Sequence, residues 1–206
     1  MRVIVVGGTG TIGSAVVAAL SARHEVVVAG RKTGSVHVDL ASPDSIRAMF
    51  QSVGKFDAVV SAAGQAKFGT LDELMDTDYL FSFSNKLMGQ ANLARIGRQF
   101  ITDGGSFTLT SGVLSHEPIK GSASISMVNA GLEGFVRAAA LELPRGIRVN
   151  VISPPWVTET LIARKMDPSH GMPAVHVAQA YLASVEGTMT GQTIDPRRLG
   201  DIEPHQ

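Results

Sequence analysis

The chain has 206 residues, of which 44% are hydrophobic and 17% charged, a composition typical of one globular domain over residues 1–206. Lysine plus arginine equal aspartate plus glutamate at 18 each, which argues against a nucleic-acid or membrane partner and favours a small-molecule ligand. The absence of cysteine excludes disulfides and thiolate metal sites and fits a cytoplasmic protein. No metal site is expected, because His170 and His176 have no acidic or thiol companion in helical register.

Short β-branched runs alternate along the chain with longer segments of helical period. This pattern is typical of parallel strands joined by helical crossovers, so it predicts a doubly wound α/β fold: a seven-stranded parallel sheet with helices on both faces. The predicted strands are Val3 to Val6, Glu25 to Ala29, Ser35 to Val38, Ala58 to Ser61, Ser106 to Leu109, Arg148 to Ile152 and Gln192 to Ile194.

Two of the intervening helices have clear boundaries. "SPDSIRAMFQSV" predicts a helix with Ser42 as N-cap and Pro43 in the first turn, burying Ile46, Met49, Phe50 and Val53. "GLEGFVRAAALEL" predicts a second helix that ends near Pro144. The polar tail from about residue 195 to 206 is expected to fray.

Glycines follow the first predicted strand in the stretch "GGTGTIGSAVVAAL". Gly8, Gly10 and Gly13 match the pattern G-x-G-x-x-G, and a helix is predicted to follow directly. Glycines allow a tight turn and bring backbone N–H groups close to a pyrophosphate at the positive end of the helix dipole. A glycine-rich turn without a ligand is the alternative, but the position after the first strand favours dinucleotide binding.

The loop after the second strand, "AGRKTG", indicates which of the two nicotinamide dinucleotides, NAD(H) or NADP(H), the chain binds. Many NAD sites place an acidic residue here to bind the ribose 2′-hydroxyl, whereas this chain has Arg31 and Lys32. Two cations favour a 2′-phosphate, so NADP(H) is predicted in preference to NAD(H). The alternative is a pair of solvated loop cations.

Taken in order, several segments resemble those of the short-chain dehydrogenase/reductase family over nearly the whole chain. "GGTGTIG" is similar to the family's glycine loop in the spacing Gly7, Gly10, Gly13, and "VDLASPDSI" to the segment whose Asp contacts the adenine. "SAAG" stands in place of the family's Asn-Asn-Ala-Gly motif beside the ribose, and "FTLTSG" resembles the segment with the catalytic Ser at the end of strand five. "RVNVISPPWVTET" resembles the sixth strand and the turn that follows, with Pro155 in place of the family's Gly.

The resemblance implies a Rossmann-like fold and a set of cofactor contacts. The implied cofactor-binding residues are Gly7, Thr9, Gly10, Thr11, Ile12, Gly13, Arg31, Lys32, Asp39, Leu40, Ala62, Ala63, Gly64, Pro154 and Val157. The catalytic Ser of the family corresponds to Ser111.

The rest of the family's catalytic pattern is replaced. Aligning "NAGLEGFVRAAALEL" with the family's helix puts Ile125 at the position of the catalytic Tyr and Asn129 at that of the Lys. Isoleucine cannot ionise, and a neutral amide cannot lower a phenol's pKa through charge. The chain's other candidates, Tyr79 and Tyr181, are predicted to be half-buried structural aromatics.

The preceding helix contains a possible substitute in "SNKLMGQANL". Lys86, Gly89 and Asn92 match the family's Asn-x-x-Gly-x-x-Asn, which puts Lys86 where the catalytic Asn would stand. We therefore expect Lys86 to supply a cation near Ser111, with Asn129 bonded to the cofactor ribose or to the Lys86 ammonium. A competing alignment keeps Asn85 as the catalytic Asn and makes Lys86 a surface cation.

Three further expectations concern the surroundings of the site. His116, on the loop after Ser111, is predicted to be a solvated loop histidine, and the alternative is that it reaches the site. Trp156 is a candidate for the pocket wall, within a short substrate lid over about 156–175. By the same resemblance, a homodimer or homotetramer is expected, paired through the long helices after strands four and five.

Three functions fit these residues. The first is an NADP(H)-dependent oxidoreductase acting on a small carbonyl or alcohol substrate with an atypical catalytic set. The second is a non-redox enzyme, a cyclase or isomerase, that uses Ser111 and Lys86 as polar groups. The third is a regulatory protein that binds NADP(H) without turnover.

Overall fold

The first strand is hydrophobic on both sides, as expected of a strand in the middle of a parallel sheet. In the computed structural model, which describes residues 1–201, Ile4 and Val6 pack into one buried cluster and Val3 and Val5 into another. The first cluster includes side chains from α2, α4 and α5, and the second from α1 and α7. The two clusters therefore lie on opposite faces of the sheet.

All the strand pairings in this seven-stranded sheet are parallel, in the order β3-β2-β1-β4-β5-β6-β7. The strands are β1 (Arg2–Val6), β2 (Glu25–Gly30), β3 (Val36–His37), β4 (Phe56–Ser61), β5 (Ile101–Thr110), β6 (Arg148–Ile152) and β7 (Thr193–Ile194). The predicted fold class is confirmed, and the main difference is that β5 begins earlier than the prediction placed it.

Helices cover both faces of the sheet. They are α1 (Thr11–Ser21), α2 (Pro43–Val53), α3 (Asp76–Ser82), α4 (Gly89–Gly97), α5 (Ala123–Glu142), α6 (Thr158–Ala163) and α7 (Ala174–Glu186). Between α3 and α4 the chain continues as a π-helix, Phe83–Met88. The boundary predicted for α2 is confirmed, because the Ser42 side chain accepts a hydrogen bond from the Ser45 N–H and Pro43 is the first helical residue.

The tail is better ordered than predicted as far as the structure describes it. Residues Pro196–Asp201 form 3₁₀ turns with a kink at Arg198, where the prediction expected a frayed tail. Arg197 holds the segment down by pairing with Glu117 at 2.6 Å and with Asp195 at 2.7 Å. Residues 202–206 lie outside the described part of the chain.

The strand order determines where a ligand can bind. From β1 the chain proceeds outward through β2 and β3 and then returns to form β4 on the other side of β1. At such a reversal the loops following the two central strands diverge, leaving a crevice at the carboxyl ends of the strands.

Across residues 1–201, no helix is both long enough and apolar enough to span a membrane. The same residues contain no cluster of three or more histidine or acidic side chains that could hold a metal ion.

Candidate active site

Two adjoining cavities occupy the crevice at the carboxyl ends of the strands. The glycine-loop cavity lies between the loop after β1 and the end of β2, and the strand-end cavity lies beyond β5 and β6. The strand-end cavity has a volume of about 280 Å3. Both are bordered by Ala62, Ala63 and Gly64, so together they form one continuous groove.

The loop after β1 is folded too tightly for side chains at its key positions. A Cβ on Gly13 would lie 2.0 Å from the Gly7 carbonyl oxygen, and Gly7 itself has a φ of +80°. Gly7, Thr9 and Gly10 line the glycine-loop cavity, whereas Gly8 is buried beneath the loop. The spacing Gly7, Gly10, Gly13 therefore describes this loop. The match to G-x-G-x-x-G uses Gly8, which does not line the cavity.

The other predicted cofactor contacts divide between the two cavities. Thr11 and Gly13 line neither of them, and Gly13 instead lets α1 start against the loop. The glycine-loop cavity is lined by Arg31, Lys32, Asp39 and Leu40, and the strand-end cavity by Ile12, Pro154 and Val157.

The glycine-loop cavity is also lined by residues outside the predicted cofactor contacts, among them the polar residues Thr33, Gln65 and Asn85. Thr33 ties the loop after β2 to the glycine loop, since its Oγ1 lies 2.7 Å from Thr9 Oγ1. A contact of this kind between two loops has no local sequence signal.

Lys86 reaches the strand-end cavity from the π-helix. Its side chain is buried, and its Nζ donates a hydrogen bond to the Ser111 carbonyl oxygen at 2.9 Å. Burial lowers the pKa of Lys86 to about 8, because the charged ammonium is disfavoured away from water. Asn85 instead lines the other cavity and accepts a hydrogen bond from the Gln65 N–H. The interpretation of Lys86 as a surface cation is wrong.

Asn129 also borders the strand-end cavity, from α5. Its Nδ2 donates to the Gly112 carbonyl at 3.1 Å, while its buried Oδ1 has no partner within residues 1–201. No hydrogen bond joins it to Lys86, so the predicted Asn129–Lys86 contact is wrong. The alternative, a contact with a ribose hydroxyl, stays a prediction that the free Oδ1 acceptor would suit.

Ser111 follows β5 directly and lines the strand-end cavity. Its Oγ donates to Glu133 Oε1 at 2.9 Å, and Glu133 is only 1% exposed. The same carboxylate accepts from Ser115 Oγ at 2.7 Å and contacts His116 Nε2 at 2.7 Å. His116 is exposed on the loop, as predicted, and its ring is in addition paired with this buried acid.

Glu133 was missed from the sequence, although a signal existed. It lies four residues after Asn129 in α5, so the two side chains share one face of the helix. An acidic residue on the face that carries a candidate site residue, flanked by Leu132 and Gly134, is a position where burial should be suspected.

Gln90 is a second residue that the sequence analysis missed. From α4 its Nε2 donates to the Thr110 carbonyl and its Oε1 accepts from the Thr110 N–H, both at 2.8 Å. The side-chain amide thus pairs with both backbone groups of the last residue of β5. This pairing fixes the backbone just before Ser111.

No phenol borders the strand-end cavity. Ile125, at the position implied for the Tyr, lines it, and the chain's two tyrosines do not. Tyr79 is half-buried on α3 as predicted. Tyr181 is fully buried, not half-buried, and its hydroxyl lies 2.6 Å from Thr110 Oγ1. Burial raises the pKa of Tyr181, which makes it a structural residue.

The predicted lid closes one side of the strand-end cavity. Trp156 and Thr160 line it, and a bridge between Val157 and Met172 joins the two ends of the segment. The guanidinium of Arg164 lies 5.9 Å from the centre of the Trp156 ring, within range of a cation–π contact. Trp156 therefore belongs to the pocket wall.

Comparison with known proteins gives consistent matches. A family model described as enoyl-(acyl carrier protein) reductase matches residues 10–193. The crystal structure of the protein lin1944 from Listeria innocua is 41% identical with a TM-score of 0.91, over 95% of this chain and 98% of that one. A small-chain dehydrogenase in complex with NADPH is 30% identical with a TM-score of 0.83, over 95% of each chain.

Curated relatives match more partially. Hydroxynaphthalene reductase arp2 of Aspergillus fumigatus is 32% identical over 133 residues, which are 62% of this chain and 49% of that protein. The chain thus spans about half the length of the first curated relatives it matches.

Proposed function

Because the chain belongs to the short-chain dehydrogenase/reductase family, we propose that it is an NADP(H)-dependent oxidoreductase acting on a small carbonyl or alcohol substrate. The observation that carries this proposal is the continuous groove at the strand ends. One end of it has the glycine loop and two cations, and the other has Lys86 and Ser111 within hydrogen-bonding distance of each other.

The residues present fit a dinucleotide. Gly7 and Gly10 line the glycine-loop cavity without side chains of their own, which leaves room for a pyrophosphate at the start of α1. Asn129 Oδ1 is a buried acceptor without a partner in the described residues, and a ribose hydroxyl would satisfy it. A bound nicotinamide would accept or supply hydride in the strand-end cavity.

The preference for NADP(H) rests on the end of β2. Arg31 and Lys32 are exposed at the rim of the glycine-loop cavity, and neither side chain forms an ion pair with residues 1–201. Both can therefore turn to a 2′-phosphate. The related dehydrogenase in complex with NADPH supports the same choice.

The chain's own residues would divide the work as follows. The Lys86 ammonium would place a positive charge beside the reacting oxygen, and Ser111 would bind that oxygen through its hydroxyl. Asn129 would hold the cofactor's ribose. Ile125 can only pack against the ligands, so proton transfer has to use other groups.

The walls of the strand-end cavity favour an apolar substrate. Phe68, Leu114, Ile125 and Trp156 surround Lys86 and Ser111 with hydrophobic surface. A carbonyl compound with an aromatic or branched aliphatic body suits this lining, since the polar groups would bind its oxygen and the wall its body.

One observation favours a second candidate, binding of NADP(H) without turnover. Ile125 removes the phenol from the position where the family resemblance expects the proton donor. The two candidates differ in whether Lys86 and Ser111 replace that donor.

The test measures both properties on the same protein. Calorimetry gives the affinity for NADPH and NADH, and the absorbance of the reduced nicotinamide follows turnover with a panel of aromatic ketones, 1,2-diketones and quinones. Tight NADPH binding with NADPH consumption supports the oxidoreductase. Tight binding without consumption across the panel favours the binding protein, and no affinity for either nucleotide contradicts both.

A further inference from the structure

A buried acid connects the candidate site to the surface. Glu133 is 1% exposed, and its carboxylate spans the distance between Ser111, at the strand-end cavity, and His116, at the protein surface. The Ser111 Oγ to Glu133 Oε1 distance is 2.9 Å, and the Glu133 Oε2 to His116 Nε2 distance is 2.7 Å. Three side chains thus form an unbroken line of hydrogen bonds.

The direction of these bonds matters. The Ser111 hydroxyl has two acceptors within reach, Glu133 Oε1 at 2.9 Å and the Ile152 carbonyl at 3.4 Å, and the shorter bond goes to Glu133. With its one proton donated there, the Oγ lone pairs are left to accept a proton from a ligand. At the other end, the side chain of His116 is 67% exposed, so its ring can exchange protons with water. Each link has the donor–acceptor distance of an ordinary hydrogen bond, along which a proton can move.

The remaining contacts of Glu133 hold it in place. Ser115 Oγ donates to Oε1 at 2.7 Å, and Ser153 Oγ approaches the same atom at 3.5 Å. Neither serine is among the residues that line the strand-end cavity. Lys86 contacts Ser111 through the backbone carbonyl, not through the hydroxyl, and so lies outside the line.

We propose that Ser111, Glu133 and His116 form a proton relay that carries the substrate's proton between the strand-end cavity and solvent, in place of the missing tyrosine. This inference rests on the proposed oxidoreductase function. Ser111 is the only member that would touch the substrate, and Glu133 and His116 act through it.

In alcohol oxidation the substrate's O–H bond breaks and its proton passes to Ser111 Oγ, while the serine's own proton passes to Glu133 Oε1. The carbinol carbon loses its hydrogen as hydride to NADP⁺, and a C=O bond is left. Because Glu133 starts this step with its carboxyl proton on Oε2, it releases that proton to His116 Nε2 as Oε1 gains one, and the resulting imidazolium gives a proton to water. In carbonyl reduction each transfer runs in reverse, so the oxygen gains a proton and the carbon a hydride.

The test compares Glu133→Gln and His116→Gln with His176→Gln, an exposed histidine on α7 that serves as the matched control. Glutamine at position 133 has the size of the glutamate that it replaces, and glutamine at position 116 retains a hydrogen-bond donor. At neither position can the side-chain amide accept a proton and pass it on. We expect Glu133→Gln to lower kcat about 100-fold. KM and the NADPH Kd should stay unchanged, and His176→Gln should behave as the wild type does.

A second readout needs no turnover. NMR of the substrate-free protein measures exchange of the Ser111 hydroxyl proton with water, which should slow in His116→Gln and keep its rate in His176→Gln. If Glu133→Gln fails to fold, His116→Gln at the surface still decides the matter.

The outcomes separate the two proposals. The relay is overturned if the wild-type protein is active and both relay variants have the same kcat as the wild type, or if His116→Gln leaves the rate of hydroxyl exchange unchanged. Either result is compatible with the proposed oxidoreductase function. Absence of NADPH consumption by the wild-type protein overturns the proposed function. It also overturns the relay, because the relay carries the proton of that reaction.

Discussion

Lys86 carries a charge that its surroundings disfavour. Its ammonium is buried, its hydrogen bond to the Ser111 carbonyl compensates only part of the lost hydration, and its pKa falls to about 8. A group with this pKa changes its charge near physiological pH, as active-site lysines do.

Lys86→Met is expected to abolish carbonyl reduction and leave the fold intact. In the wild-type protein the reduction rate should fall as the pH rises through about 8, the pKa of Lys86, because the neutral amine no longer stabilises negative charge on the substrate oxygen. Rates across pH with saturating NADPH provide the check, with Lys55→Met, an exposed lysine, as control. Unchanged turnover in Lys86→Met would contradict the assignment.

The same substitution should raise stability. The folded pKa of Lys86, about 8, lies below its ordinary value of 10.5, so the folded state binds fewer protons between these two values. The charged lysine therefore destabilises the fold fully below pH 8, and the penalty is relieved as the pH rises towards 10.5. At pH 7 we expect Lys86→Met to be more stable by up to about 3 kcal/mol. Urea unfolding at several pH values measures this difference, which should shrink in alkaline solution.

The exposed pair Arg31 and Lys32 should discriminate between the two nucleotides. Replacing either residue with alanine removes a cation from the rim of the glycine-loop cavity, and the affinity for NADPH should fall about ten-fold. The affinity for NADH should change little, because NADH lacks the 2′-phosphate. Equal losses for both nucleotides in a calorimetric titration would show that these cations do not read the phosphate.

At the scale of elements, the end of β5 depends on a side chain from another layer. Gln90 forms hydrogen bonds with both the N–H and the C=O of Thr110. These bonds replace those of a neighbouring strand, because the pairing of β5 with β4 ends at Thr108. The π-helix just before α4 also contributes to this end of the sheet. It places the Lys86 side chain next to Gly64 and within hydrogen-bonding distance of the Ser111 carbonyl. Such irregular helical turns frequently occur at functional sites.

Gln90→Leu should leave the N–H and the C=O of Thr110 without their side-chain partner. We expect a loss of about 2 kcal/mol or more in the free energy of unfolding, because buried unpaired backbone groups are costly. Gln179→Leu, on the exposed side of α7, is the matched control and should change stability little. Denaturant titration of the two variants is the measurement, and equal stabilities would contradict the role given to Gln90.

The sequence predicts the elements well and the site only in part. Alternating apolar and helical segments place every strand, and the Ser42 cap with Pro43 places the start of α2, because these signals are local. Glu133 and Gln90 could not be assigned in the same way. Their partners lie 22 and 20 residues away in the chain, and the contacts appear only when α4 and α5 pack on the sheet.

At the scale of the whole molecule, we propose that the protein is a dimer or tetramer paired through α4 and α5. On α5, Phe135 and Ala139 are only partly buried against the core, and Leu141 is 89% exposed. A second copy would cover this apolar surface. Light scattering in solution is the check: a mass at least twice the 21.6 kDa of one chain is expected, and a monomer at all concentrations would contradict it.

We propose above all that this protein catalyses hydride transfer in the groove between its glycine loop and the pair Lys86 and Ser111, although Ile125 is at the position implied for the family's catalytic tyrosine. The most direct measurement is mass spectrometry of the product formed with NADPH deuterated at both C4 positions and an aromatic ketone. We expect one deuterium on the carbinol carbon of the product from the wild-type protein, and no labelled alcohol from Lys86→Met. Saturating NADPH binding without any labelled alcohol across the panel would contradict the claim.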